Sequence, residues 1–133
     1  MSVEQNAVGW FEIYVADLER AKGFYEATFE IQLVELPAPE AEGVPPVKML
    51  AFPSDQEKFL PGAAGAICQM EGVEPGVGGT LVYFQCQDCA HNAALAEKAG
   101  GKIQAPKFSI GQYGFISMVE DTEGNTIGLH SRE

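Results

Sequence analysis

The chain has 133 residues, 46% of them hydrophobic and 20% charged, which is the size and balance of one ordinary globular domain. Nineteen acidic against eight basic side chains give a formal net charge of -11, which repels nucleic-acid phosphates and anionic membrane surfaces. No apolar run approaches the 18 or so residues of a membrane span, the N-terminus lacks the pattern of a signal peptide, and three cysteines cannot all pair within one chain. These features point to a cytoplasmic protein with reduced thiols.

Val8 to Ala16 alternates like a strand, with Phe11, Ile13 and Val15 on one face and Trp10, Glu12 and Tyr14 on the other. The first face is expected in the core. Asp17 is placed to cap the helix that follows, and Leu18, Ala21, Phe24, Tyr25, Thr28 and Phe29 fall on one stripe at helical spacing. Gly23 weakens that helix. Strands are then expected over Ile31 to Leu36, Val47 to Phe52 and Gly65 to Met70, separated by Pro- and Gly-rich links through Pro37 to Pro46 and Pro53 to Gly62. The count is βαβββ, and Gly72 to Gly79 reads as a hinge.

The same order then repeats. Leu81-Val-Tyr-Phe-Gln-Cys-Gln-Asp88 lies over Trp10-Phe-Glu-Ile-Tyr-Val-Ala-Asp17, 71 positions on. Thr80 to Cys86 is a strand, Asp88 a cap, and a helix runs through Ala93, Ala96 and Ala99 to Gly100-Gly101. Lys102 to Ala105 is a short strand, and Tyr113 to Glu120 and Asn125 to His130 form a hairpin across Asp121-Thr-Glu-Gly124. A duplicated unit brings two equivalent strand faces together, and the groove between them is where a small ligand is expected.

Three segments, in order along the chain, carry a family likeness: Val15-x-Asp17-Leu-x-x-Ala-x-x-Phe-Tyr25, Ala99-Gly-Gly-Lys102, and Asp121-Thr-Glu-Gly-Asn-Thr-Ile-Gly-Leu-His-Ser131. With them the chain resembles the vicinal oxygen chelate superfamily, the glyoxalase I, bleomycin-resistance and extradiol dioxygenase group, and among these the small bacterial lactoylglutathione-lyase-related proteins. The resemblance implies an α+β fold of two tandem βαβββ modules, about 1–72 and 73–133, closing as an open-sided mixed β-barrel or cleft with helices outside. It implies one glyoxalase-like domain over 1–133, a small-molecule ligand and a homodimer.

Metal-using members of that group place a His or Gln at the start of the first strand of each module and a Glu near the end of the fourth. Here Trp10 and Leu81 stand in the first pair of places, Gly128 replaces a Glu, and Ala64 to Met70 contains no carboxylate. The expectation is a site without a metal or other cofactor, since a catalytic ion needs three or four converging N and O donors. Glu12 and His130, each two residues beyond an inherited ligand place on the same strand face, are the candidate substitute donors.

Glu12, among Trp10, Tyr14 and Tyr83, is the candidate catalytic residue, a partly desolvated carboxylate suited to general-base work; a carboxylate satisfied by backbone or solvent is the plainer alternative. Trp10, Tyr14, Tyr83, Gln85, Tyr113 and His130 are candidate ligand contacts, with Tyr113 on the Gly111-Gln-Tyr-Gly114 loop; core filling or solvent exposure stands beside each. Cys86-x-x-Cys89 straddles a strand end and a helix start and reads as buried structure, His91 reads as a surface residue, and Cys68 stays unassigned. Neither a phosphate loop nor a nucleophile elbow is present. The functional expectation is a small organic molecule held in a metal-free groove, with lyase or isomerase chemistry run by Glu12. A drug-sequestering binding protein for a cationic antibiotic is the alternative, followed by a metal-dependent lyase or dioxygenase and by a vestigial groove on an interaction subunit.

Overall fold

The computed structural model describes residues 5–55, 57–58 and 60–133. The first four residues, and Gln56 and Phe59 in the link from Pro53 to Gly62, lie outside the described residues. The fold is α+β. Its elements are β1 (Val8–Tyr14), α1 (Leu18–Phe29), β2 (Val34–Leu36), β3 (Lys48–Ala51), β4 (Ala64–Gln69), β5 (Thr80–Gln85), α2 (Cys89–Lys98), β6 (Lys102–Ser109), a short 3-10 turn over Gly111–Tyr113, β7 (Phe115–Glu120) and β8 (Thr126–Ser131). The βαβββ order therefore occurs twice.

Contacts divide the chain into two compact units: Trp10–Ala38 with Pro45–Thr80, and the residues up to Gly9 with Pro39–Val44 and Leu81–Glu133. In the first unit the strand order is β2-β3-β4-β1, antiparallel except for the parallel β4-β1 pair. In the second it is β6-β7-β8-β5, antiparallel except for the parallel β8-β5 pair. The topologies coincide strand for strand, as the repeat in the sequence implies.

In the first unit Asp17 caps α1, its Oδ1 accepting the Arg20 N–H at 3.0 Å, and Gln69 Oε1 takes the Leu18 N–H at 2.9 Å. The helix rests against β4 with Tyr25 edge-on to Phe52, whose ring meets Phe11 on β1. The expected core stripe is only half realised: Tyr25 is half-buried, whereas Phe24 and Phe29 are 61% and 60% exposed. The stripe is wider than the line along which a helix touches one sheet, so residues at its margins stay in water. β2 begins at Val34 rather than Ile31, because Glu30 ends α1 in a left-handed conformation and Glu26 Oε2 holds the Leu33 N–H at 2.8 Å.

In the second unit Asp88 caps α2, accepting the Ala90 N–H, and receives an ion pair from Lys107 at 2.9 Å. Cys89 and Ala93 on α2 pack with Val119 and Leu129 of β7 and β8 as the buried cluster, edged by Phe84, Cys86, Ile103 and Phe115. Cys89 is fully buried and Cys86 half-buried, and His91 is exposed. β6 runs to Ser109, past the end expected at Ala105: Pro106 is accommodated on this edge strand by register shifts against β7 between Ile103 and Phe108. Tyr113 falls in the 3-10 turn and not in β7, which starts at Phe115. The β7-β8 hairpin closes as expected, with Asp121 Oδ1 accepting the Glu123 and Asn125 N–H groups and Gly124 at φ 87°.

Candidate functional site

Alternation along β1 puts Trp10, Glu12 and Tyr14 on one face, and their polar tips meet. The Trp10 Nε1–H donates to Glu12 Oε2 at 3.1 Å, and the Tyr14 hydroxyl donates to Glu12 Oε1 at 2.8 Å. Tyr14 is buried, while Trp10 and Glu12 are half-buried. With a donor on each oxygen, the plane of the carboxylate is fixed before any ligand arrives. Burial first, then the Glu12 charge and its hydrogen bond, push the Tyr14 phenol far above its ordinary range, so this hydroxyl stays protonated as a donor.

Cys68, which the sequence left unassigned, pairs across the β1-β4 ladder with Tyr14 and is fully buried. Burial, and secondarily the Glu12 charge, push its thiol well above the usual thiol range, so it is a neutral wall of this cluster. The signal that could have placed it is the repeat: Tyr14 opposite Cys68 in one unit corresponds to Gln85 opposite His130 in the other.

In the second unit the candidates form their own arrangement. His130 Nδ1 lies 3.1 Å from Gln85 Oε1, and Nε2 lies 2.6 Å from the Tyr113 carbonyl oxygen. Gln85 folds over Gly9, where a Cβ would fall 2.7 Å from Gln85 Oε1. The Tyr113 phenol, half-buried, is raised above its ordinary range by burial, against the opposing hydrogen bond from Gln112. Tyr83 is buried, with its ring across Gly128. Thus Trp10, Glu12 and Tyr14 come together as one cluster, and Gln85, His130 and the Tyr113 backbone as another.

Of the four places where the resemblance implies metal ligands, three hold residues that do not fit an ion. The Trp10 indole has no lone pair to give and spends its N–H on Glu12; Leu81 is apolar; the space above Gly128 is taken by the Tyr83 ring. Among the described residues no group of three or more His, Cys, Asp or Glu side chains is arranged to hold one. No helix among the described residues is long and apolar enough to cross a membrane.

Two βαβββ units with parallel β1-β4 and β5-β8 pairs are the architecture of a glyoxalase-type protein. The chain belongs to the Glyoxalase/Bleomycin resistance protein/Dioxygenase superfamily, whose family model matches residues 7–129. Among solved structures, it is similar to a Streptomyces coelicolor methylmalonyl-CoA epimerase in complex with 2-nitronate-propionyl-CoA: 19% identity, TM-score 0.62, covering 96% of this chain and 97% of that one. The Mycobacterium tuberculosis methylmalonyl-CoA epimerase matches at 16% identity and TM-score 0.61, over 100% and 93% of the two chains. A hypothetical protein from Bacillus halodurans C-125 matches at 9% identity and TM-score 0.68, over 95% and 94%. At these identities the likeness is one of fold. No curated protein matches the sequence.

Proposed function

We propose that this protein takes up a small organic molecule at the Trp10, Glu12, Tyr14 face without a metal, and that Glu12 is the proton acceptor of a lyase- or isomerase-type step. The observation that carries the reading is the double clasp on Glu12 by the Trp10 N–H and the Tyr14 O–H. Both donors are neutral and orient the carboxylate, as a general base facing a carbon acid requires. Trp10, half-buried, supplies aromatic surface for the ligand's apolar part. Tyr83 and Gln85, at the equivalent places of the second unit, are proposed as further ligand-contacting residues, with Tyr113 beside them and His130 acting through Gln85 and the Tyr113 carbonyl. Residues 1–133 are proposed to act as one glyoxalase-like domain, cytoplasmic and paired as a homodimer.

The Streptomyces epimerase is in complex with a CoA compound. CoA carries several phosphate charges, and a chain of net charge -11 is a poor host for them, so the ligand proposed here lacks phosphates. The test is deuterium wash-in from D2O into a panel of small carbonyl carbon acids, followed by NMR, with free CoA as a negative control. Glu12→Gln is expected to abolish exchange while ligand-induced shifts persist; a variant that exchanges at the wild-type rate would sink the reading. Incubation with Ni, Zn, Mn and Fe before gel filtration checks the metal-free part, and a stoichiometrically retained ion overturns it.

The acidic surface favours a second reading, sequestration of a cationic drug with no bond made or broken. Calorimetry against basic glycopeptides at low and high salt addresses it, and absence of a salt-sensitive heat counts against it.

A further inference from the structure

β2 and β3 pair antiparallel with Leu36 opposite Met49, a geometry that a hairpin loop of about two to five residues closes. The chain instead runs through 37–47, stiffened by Pro37, Pro39, Pro45 and Pro46. Part of this detour, Pro39–Val44, belongs to the compact unit of β5, β6, β7 and β8. There it meets the turn after β6. The Glu40 N–H donates to Gln112 Oε1 at 2.9 Å, and Gly111, at φ 69°, comes so near the Glu40 backbone that a Cβ would fall 2.6 Å from its carbonyl oxygen.

The turn is in its own way held. Ile110 N–H bonds the Gly114 carbonyl at 2.8 Å, and Gly114 N–H the Gly111 carbonyl at 3.1 Å. Gly114 has φ 105°, and a Cβ there would fall 2.5 Å from the Ser131 oxygen. His130 on β8 contacts the turn at 2.6 Å through Nε2 and the Tyr113 carbonyl; since a carbonyl only accepts, Nε2 carries the hydrogen and donates. The Gln85 side-chain amide lies against the other ring nitrogen, its Oε1 3.1 Å from Nδ1, and Gly9 leaves Gln85 the room to lie there.

We infer that residues 39–44 form a detachable strap, and that His130 is the positioning residue whose bond to the Tyr113 carbonyl keeps the 111–114 turn in the shape that latches it. Glu40, Glu42 and Gly43 are exposed and Pro39, Ala41 and Val44 only half-buried, so with no fully buried residue the strap belongs to the easily opened part of the molecule.

The experiment is amide hydrogen exchange by NMR on the full chain, paired with cleavage by a glutamyl endopeptidase mapped by mass spectrometry. His130→Ala is expected to raise exchange at Glu40 and Gly114 together by about tenfold, the loss of roughly one well-formed hydrogen bond, and to direct cleavage to Glu40 and Glu42. The β7-β8 amides should keep their protection. Gln112→Ala, an exposed truncation that spares the core, should raise exchange at Glu40 and leave Gly114 protected. His130→Gln, which retains a donor, should restore much of the protection. The inference is overturned if Glu40 stays protected in either alanine variant, or if His130→Ala raises exchange equally throughout β7 and β8. None of these readouts uses turnover, so failure of the Glu12 proposal leaves the strap untouched, and the converse holds.

Discussion

The ring of Tyr83 on β5 lies across Gly128, its register partner on β8, in the space that a side chain at 128 would occupy. Where metal-using relatives are expected to carry a Glu, this chain has a glycine with an aromatic ring packed on it. A carboxylate placed at 128 would meet the Tyr83 ring before it met any ion.

Gly128→Ala should destabilise the protein by roughly 1–3 kcal/mol, because overpacking a closed contact forces the Tyr83 ring out of place. Urea denaturation monitored by tyrosine and tryptophan fluorescence measures it. Gly128→Ala in a Tyr83→Ala background should cost much less, since the clash partner is gone, and additivity of the two changes would contradict the packing argument.

Tyr14→Phe removes one of the two clasping donors from Glu12. The buried setting makes this cost about 1–2 kcal/mol, the range for leaving a partly buried acceptor short of a donor. In a Glu12→Gln background the same change should cost less, because a neutral amide gives up a weaker bond. A double-mutant cycle from chemical denaturation reads the difference.

Stability should fall on the alkaline side. The Cys68 thiol and Tyr14 phenol are both held above their ordinary values of 9.0 and 10.0, chiefly by burial. A group whose folded pKa is raised contributes stability fully present below its unfolded value and lost as pH climbs beyond it. The loss therefore starts near pH 9 with the thiol and steepens past pH 10 with the phenol, at up to about 1.4 kcal/mol per pH unit for each group. Denaturation midpoints across roughly pH 7 to 11 test this, and Cys68→Ala should lessen the first part of the decline, the remainder coming from Cys86, whose thiol is also raised by burial.

Gly23→Ala should stabilise the chain by about 0.5–1 kcal/mol. The position is exposed in the middle of α1 with nothing within 4 Å of an added Cβ, so the change reduces the unfolded chain's freedom without a steric cost. A thermal melt that fails to rise would show that α1 is held in a strained geometry.

What the amino-acid sequence determined by itself is whatever depends on a few neighbouring residues. Alternation over Val8 to Tyr14, the caps at Asp17 and Asp88, the Asp121 to Gly124 hairpin and the double βαβββ order all follow from backbone preference and side-chain period, which act within a turn or a strand. The common face of Trp10, Glu12 and Tyr14 was legible for the same reason.

Only the tertiary structure decided how their tips engage, that Cys68 stands opposite Tyr14, and that Tyr83 covers Gly128, because a side chain's partner across a sheet is set by which strand lies alongside and in what register. The same holds where local rules were overruled. β6 crosses Pro106 because an edge strand needs only one ladder, Phe24 and Phe29 remain in water because one sheet covers one side of α1, and 39–44 leaves its hairpin to meet a turn 72 residues away. Contacts between segments so far apart along the chain exist only once the strands have been placed, so no local pattern records them.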